Sequence, residues 1–391
     1  MNNLQKDVIS LLHSALTGDK KNLAKDIDFN AIFDIAKKHG IGSMVYYGAI
    51  NCGVGQDNPA MQDAFLITCA MISRNARQTF EIDSLFAKFD EAKIEYMPLK
   101  GTLLRDLYPK AEMRAMSDAD ILIKTKQYDK IKPLMIELGY SEKGVTDHEL
   151  QWVKPSLYVE LHSRLIPSYN KDYFAYYGDG WQLAKCCDGT RYFMTDEDQM
   201  IYLFTHFAKH YRDAGIGLKH IIDLWVYRKN KPSLDEEYIN RELKKLRLDE
   251  FYINITETLE VWFGDKEPNV ITDFITDYIF DCGAAGKKEN YIISDLLKNS
   301  NGKNIEKHSK LKMYWFYVFF PYKKMCMKYP FLKKIPVALP LMWAVRLISG
   351  LLNKEKRDSA KSTVDGIESQ QIVERQRGLS FVGLNFNFKE K

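Results

Sequence analysis

The chain has 391 residues, 46% of them hydrophobic and 28% charged, and a formal net charge of +4. That is the make-up of an ordinary soluble globular protein with room for two or three domains. Its six cysteines show no CxxC pairing and no histidines at zinc spacing, which argues against a disulfide framework or a structural zinc and for a reducing compartment. The N-terminal stretch MNNLQKDVISLLHSALTGDK lacks the basic-then-apolar layout of a signal peptide, so a cytoplasmic protein is expected. The charge is uneven. Residues 301–360 hold 13 Lys/Arg against 3 Asp/Glu and carry +10, leaving −6 for the remainder. Such a basic region often faces a membrane, a nucleic acid or a phosphorylated substrate.

In chain order, residues 1–92 read as a helical region. Ile32, Phe33, Ile35 and Ala36 fall at helical spacing, Gly40 stops that helix, and a second helix follows. The same period runs from Met61 to Phe89. The pattern changes near Lys93. KIEYMPLKG is short and strand-like, TLLRDLYP is one or two helical turns, and DADILIK alternates as a strand. KQYDKIKPLMIELGY is a helix, and HELQWVKPSLYVELHSRL reads as two strands joined across Lys154, Pro155 and Ser156. This order predicts an α+β protein: a small mixed sheet over 93–195, embedded in a largely helical chain. Residues 196–285 return to the helical period, opened by the helix-start signature TDED. Residues 286–352 form a basic and apolar region that begins with a Lys-rich linker over 286–313, and 353–391 read as a polar tail.

Chemistry concentrates between Leu99 and Lys124. Residues i and i+2 of a strand share a face, so Asp118 and Asp120 project together while Ala119, Ile121 and Ile123 enter the core. Two neighbouring carboxylates repel and raise each other's pKa unless a cation lies between them. Mg²⁺ suits such a pair and completes its shell with water and phosphate oxygens. In LYVELHSRL, Tyr158, Glu160 and His162 alternate against Leu157, Val159 and Leu161. If this strand lies beside the aspartate strand, Glu160 joins the pair, and three carboxylates could hold two ions. The plainer reading of Glu160 is a surface salt bridge to Arg164 or Lys154. Lys100 and Gly101 open a helical turn whose N–H groups, with Thr102, face an anion. Lys100 adds a point charge for phosphate and Arg114 a forked one.

The array Lys100-Gly101, Tyr108-Pro109, Arg114, Asp118-x-Asp120-Ile-Leu-Ile and Glu160-Leu-His162 resembles the DNA polymerase β-like nucleotidyltransferase superfamily. More closely, it resembles a poorly characterised bacterial nucleotidyltransferase family with an LKG…R…DxD…hDhH pattern. The resemblance implies Mg²⁺- or Mn²⁺-dependent transfer of a nucleoside monophosphate from an NTP, ATP being the expected one, with release of pyrophosphate. It makes Asp118, Asp120 and Glu160 catalytic metal ligands. Lys100, Gly101, Thr102 and Arg114 become nucleotide-binding residues, and His162 a supporting partner behind the ligands. The chain has Lys-Gly-Thr where the superfamily usually has Gly-Ser or Gly-Gly, and Glu160 where the close family more often has Asp. The resemblance is expected to span residues 25–345.

Several segments keep two readings. His206 and His210 stand one helical turn apart, followed by Asp213, His220 and Asp223. They read as packing histidines beside exposed Lys209 and Arg212, or place His206 or Asp223 on the substrate side of a cleft. Arg74, Asn75 and Arg77 are similar candidates. IPVALPLMWAVRLISGLL carries two prolines and Arg346, which suits a buried or interfacial helix better than a spanning one. With its flanking lysines, 314–357 could touch an anionic membrane surface. The acceptor is open among small molecule, protein and RNA. The rival functions are a nucleotide- or metal-binding module without turnover and a membrane-peripheral protein of surface polysaccharide or lipid biosynthesis, and the two are compatible.

Overall fold

Local capping signals start and stop the N-terminal helices, Gly40 among them as the sequence predicts. In helix α1 (Asn3–Thr17), the Asn2 side chain accepts from the Gln5 amide while the Gln5 side chain caps Asn2 in return. Helix α2 (Phe29–His39) is capped by Asp28 and ends at Gly40, whose left-handed backbone turns the chain into α3 (Gly42–Cys52). Helix α4 (Pro59–Glu91) covers the periodic Met61–Phe89 stretch. The computed structural model describes residues 1–24, 26–55, 57–300, 319, 322, 325–326, 329–352 and 369–385.

The α+β expectation holds: a seven-stranded mixed sheet sits within a largely helical chain. Strand β1 (Tyr96–Pro98) leads through the turn α5 (Gly101–Leu104) to β2 (Ala119–Ile123). Helix α6 (Tyr128–Glu137) follows, then β3 (Ser141–Val145), β4 (Glu149–Lys154) and β5 (Leu157–His162). After α7 (Lys171–Tyr177), β6 (Lys185–Asp188) and β7 (Arg191–Phe193) close the sheet in the order β3-β4-β5-β2-β1-β7-β6. Strands β3, β6 and β7 escape the sequence reading because they are short, polar and at or near the sheet edges. Without a buried face they carry no alternation to read.

Strand β2 lies parallel to β5, with Asp120 opposite Glu160 and Leu122 opposite His162. Ala119, Ile121, Ile123, Val159 and Leu161 pack against Leu85, Phe89, Ile131 and Met135 of α4 and α6. The other face meets the helices α8 (Asp196–Asp213) and α9 (Leu218–Asn230). Thr195 caps α8 by accepting from the Asp198 amide, as TDED predicts. Helices α10 (Glu236–Lys245), α11 (Asp249–Phe263) and α12 (Val270–Cys282) complete this side.

The C-terminal third departs from expectation. The linker over 286–313 contains helix α13 (Lys288–Ser300), with Ile293 and Leu297 buried; residues 301–313 lie outside the described residues. Ser294 donates to the Arg212 carbonyl, which ties α13 to α8. Helix α14 (Leu339–Leu352) follows two short turns. The polar tail contains helix α15 (Ser369–Phe381), with Ile372, Leu379 and the following Val382 in the main core. Both surprises have one cause: three or four apolar residues in a polar helix suffice to dock it once a groove exists, and too few to announce it. The main core runs from Val8 through Leu99 and Phe204 to Leu384, so the successive regions of the chain share one interior.

Candidate active site

A cleft of about 370 Å³ opens where the polar face of β2 and β5 meets α8 and α9. Asp120 is buried at its floor. Burial alone would raise its carboxyl pKa, but the Lys100 ammonium at 3.0 Å and the His162 Nε2 at 2.8 Å outweigh that and hold it well below the usual carboxylate range. The same pairing raises the Lys100 pKa against its own burial. Both contacts fall on Oδ1 of Asp120.

Glu160 has the opposite fate. Burial, then the carboxylates of Glu149, Asp120 and Asp118, push its pKa up to about 8. The surface salt bridge is absent, since Lys154 pairs with Glu81 and Arg164 with Asp147. Four carboxylates therefore face Lys100 and His162, an excess of negative charge that a divalent cation would relieve. Asp120 and Glu160, with His162 beside them, bring their polar atoms within 4.8 Å of one another, so the two carboxylates fit a metal ion while His162 holds Asp120. Asp118 lines the cleft half-buried and accepts from the Ser117 hydroxyl at 2.7 Å, outside that trio.

Lys100 reaches Asp120 from an unusual backbone. It occupies φ +42°, ψ −110°, in a turn closed by the Thr102 amide donating to the Leu99 carbonyl. A non-glycine residue pays roughly 1–3 kcal/mol for such a conformation, and here the turn sends the lysine into the cleft. The amides of Thr102, Leu103 and Leu104 are used internally: the first donates to the Leu99 carbonyl and the other two to the Lys100 carbonyl, and the Thr102 hydroxyl also donates to Leu99. Gly101 lines the cleft and Thr102 is not among its lining residues.

Arg114 and Asp223 both line the cleft, and the two are paired with each other. Its Nε and Nη2 donate to Asp223 of α9 at 2.8 and 2.9 Å, and Tyr108 donates to the same carboxylate at 2.6 Å. All three are buried. A Cβ on Gly101 would lie 2.9 Å from Arg114 Nη1 and 3.0 Å from Met116 Cγ, so the glycine makes room for the arginine. The spacing of Gly101, Tyr108 and Arg114 thus describes a clamp between the sheet and α9.

Helices α8 and α9 supply a basic wall that sequence patterning underrates. His206, Lys209, His210, Lys219 and His220 line the cleft. Burial and then Lys100 lower the Lys209 pKa to about 8, and burial and then Lys219 lower that of His220 to about 3. His206 and His210 face each other at 3.0 Å between Nε2 atoms; burial drives both far below their usual pKa, so one neutral ring donates to the other. Of the residues expected to be exposed, Lys209 turns into the cleft and Arg212 is buried against Asp172 and Asp213. Arg74 and Arg77 are exposed and Asn75 is buried in α4; none of the three lines the cleft. The sequence reading missed His148 and Glu149, where β4 enters the cleft. Their only signal was the HEL opening of that strand.

A family model described as uncharacterised nucleotidyltransferase matches residues 25–264. The chain belongs to this family. The nucleotidyltransferase match takes in α2 through α11 and hence both walls of the cleft, and it stops short of the expected residue 345. No curated protein and no solved structure matches this nucleotidyltransferase-family chain.

Proposed function

We propose that the protein transfers a nucleoside monophosphate from an NTP, ATP first among them, to an acceptor hydroxyl and releases pyrophosphate. The observation that carries this reading is the pairing of Asp120 with Glu160 on adjacent parallel strands, in a cleft whose opposite wall is basic. Asp118, Asp120 and Glu160 would hold Mg²⁺ or Mn²⁺, which neutralises phosphate charge in chemistry of this class. Lys100, Lys209 and Lys219 bind and orient the triphosphate. His162 holds Asp120 in place through its Nε2–H. Glu160, kept ionised by the bound cation, would take the acceptor's proton as the acceptor oxygen bonds to the α-phosphorus and the bond to the bridging oxygen breaks. Arg114 and Asp223 fix α9, and with it the basic wall, against the sheet.

Incubation with each α-labelled NTP and Mg²⁺ or Mn²⁺ tests this. Pyrophosphate release and label transfer are expected, and both should fall at least about 100-fold in Asp120→Asn. A rival reading, a binding module without turnover, is favoured by the Lys100 ammonium that already balances Asp120. Metal-dependent NTP binding with no pyrophosphate would establish that rival.

We further propose that the protein works in the cytoplasm at a membrane surface. Among the described residues no helix is long and apolar enough to cross a membrane. Val337, Leu341, Val345 and Ile348 are exposed at helical spacing on and just before α14, beside Lys334. An apolar stripe flanked by lysines suits an anionic bilayer. The remainder of 314–357 lies largely outside the described residues.

A further inference from the structure

The β4–β5 ladder sets Glu149 directly opposite His162, one residue after His148. The His148 carbonyl accepts from both the amide and the hydroxyl of Ser163, at 2.7 and 3.0 Å, so this corner is held in place. Glu149 Oε2 lies 3.6 Å from His148 Nε2 and 3.9 Å from His162 Nδ1. The three residues offer ligating atoms within 4.8 Å of one another.

The free nitrogen of His162 supplies the decisive point. Its Nε2 lies 2.8 Å from the Asp120 carboxylate, which can only accept, so Nε2 carries a proton and is committed there. Nδ1 is the ring nitrogen left for another partner. That atom is buried, in a residue 3% exposed, and has no hydrogen-bond partner. At 3.9 Å from Glu149 Oε2 it is too far for a hydrogen bond, and a cation between the two atoms would satisfy both. A carboxylate bonded to the far nitrogen of an imidazole is also the usual arrangement behind a metal-bound histidine, where it fixes the ring and strengthens it as a ligand.

We propose that His148, Glu149 and His162 form a cation site adjoining the Asp120–Glu160 pair, and that it takes a first-row divalent transition metal of the zinc or cobalt class. Two imidazoles and a carboxylate match the preference of those ions, whereas Mg²⁺ favours oxygen alone. All three residues line the cleft, so coordination positions that the protein leaves open face the substrate side. The sequence spacing hides the site because its ligands sit at 148, 149 and 162 on two strands, not in a compact motif.

The test uses the full chain and the metal alone, without nucleotide, so its outcome is separate from whether the protein transfers nucleotides. Zinc titrated into metal-free protein should bind at one site more tightly than Mg²⁺. X-ray absorption at the zinc edge should show two imidazole nitrogens. His148→Ala and Glu149→Gln should weaken zinc by more than the roughly 10–100-fold expected for losing an outer partner, and Asp120→Asn by about that outer-partner amount. Circular dichroism checks that the variants fold, and the wild-type absorption spectrum decides the matter if they do not. An oxygen-only shell, or zinc affinity unchanged in both His148→Ala and Glu149→Gln, overturns the proposal.

Discussion

Asp223 is the residue on which most of the clamp depends. It receives two hydrogen bonds from Arg114 and one from Tyr108 in a buried setting, and its pKa is held low by Arg114 against the burial that would raise it. Removing one partner of a buried ion pair leaves the other charge uncompensated. Asp223→Ala should therefore cost about 3–5 kcal/mol in urea unfolding, while the double change Asp223→Leu/Arg114→Met should recover part of that loss. Equal losses in the single and double variants would mean that Arg114 has another anchor. Lys100 invites a second comparison. Lys100→Gly and Lys100→Ala both delete the ammonium, but only glycine relieves the φ of +42°. Lys100→Gly should be the more stable by roughly 1 kcal/mol, with NTP binding weakened alike in both.

Among the secondary-structure elements, His39 at the end of α2 joins two helices that lie far apart in the chain. Its Nδ1 accepts from the Leu218 amide of α9 and its Nε2 donates to the Phe280 carbonyl of α12. Both nitrogens are therefore committed in the neutral ring, and burial lowers its pKa to about 4. Between that value and the unfolded value near 6.5 the unfolded chain binds more protons, so stability falls as pH drops through this window. The contribution lost by pH 4 is roughly 3 kcal/mol. Chemical unfolding of the wild type and His39→Gln from pH 7 to 4 should show a shallower acid loss in the variant. Parallel curves would remove His39 from the account.

For the molecule as a whole, the uneven charge and the exposed stripe of α14 point the same way. The region 301–360 carries +10 while the remainder sums to −6. Sedimentation with anionic vesicles should capture the protein at low salt and release much of it as salt screens the lysines. Leu341→Glu/Ile348→Glu should abolish capture and leave nucleotide turnover intact, because α14 contributes nothing to the cleft. Capture that survives these substitutions would sink the membrane reading.

The sequence by itself determined what depends on neighbours in the chain. The Thr195 cap, the Gly40 stop and the two-residue period of Asp120 and Glu160 were all legible, because capping and strand alternation are local. So was the array of Lys100, Gly101, Asp120, Glu160 and His162. What only the tertiary structure decided depends on surroundings no local pattern carries. Arg114 lies in the cleft lining as its motif suggested, but its partner Asp223 comes from 109 residues away, and only the fold brings it there. Lys209 looked exposed until the sheet lay over α8, and His206 kept two readings, packing or the substrate side of a cleft, until the fold placed it in the cleft lining. His148 and Glu149 acquired a role only when the β4–β5 register set them against His162. Charge partners, burial and proton position are properties of an assembled interior. They arise where distant segments exclude water together, and so they become definite only once the chain has folded.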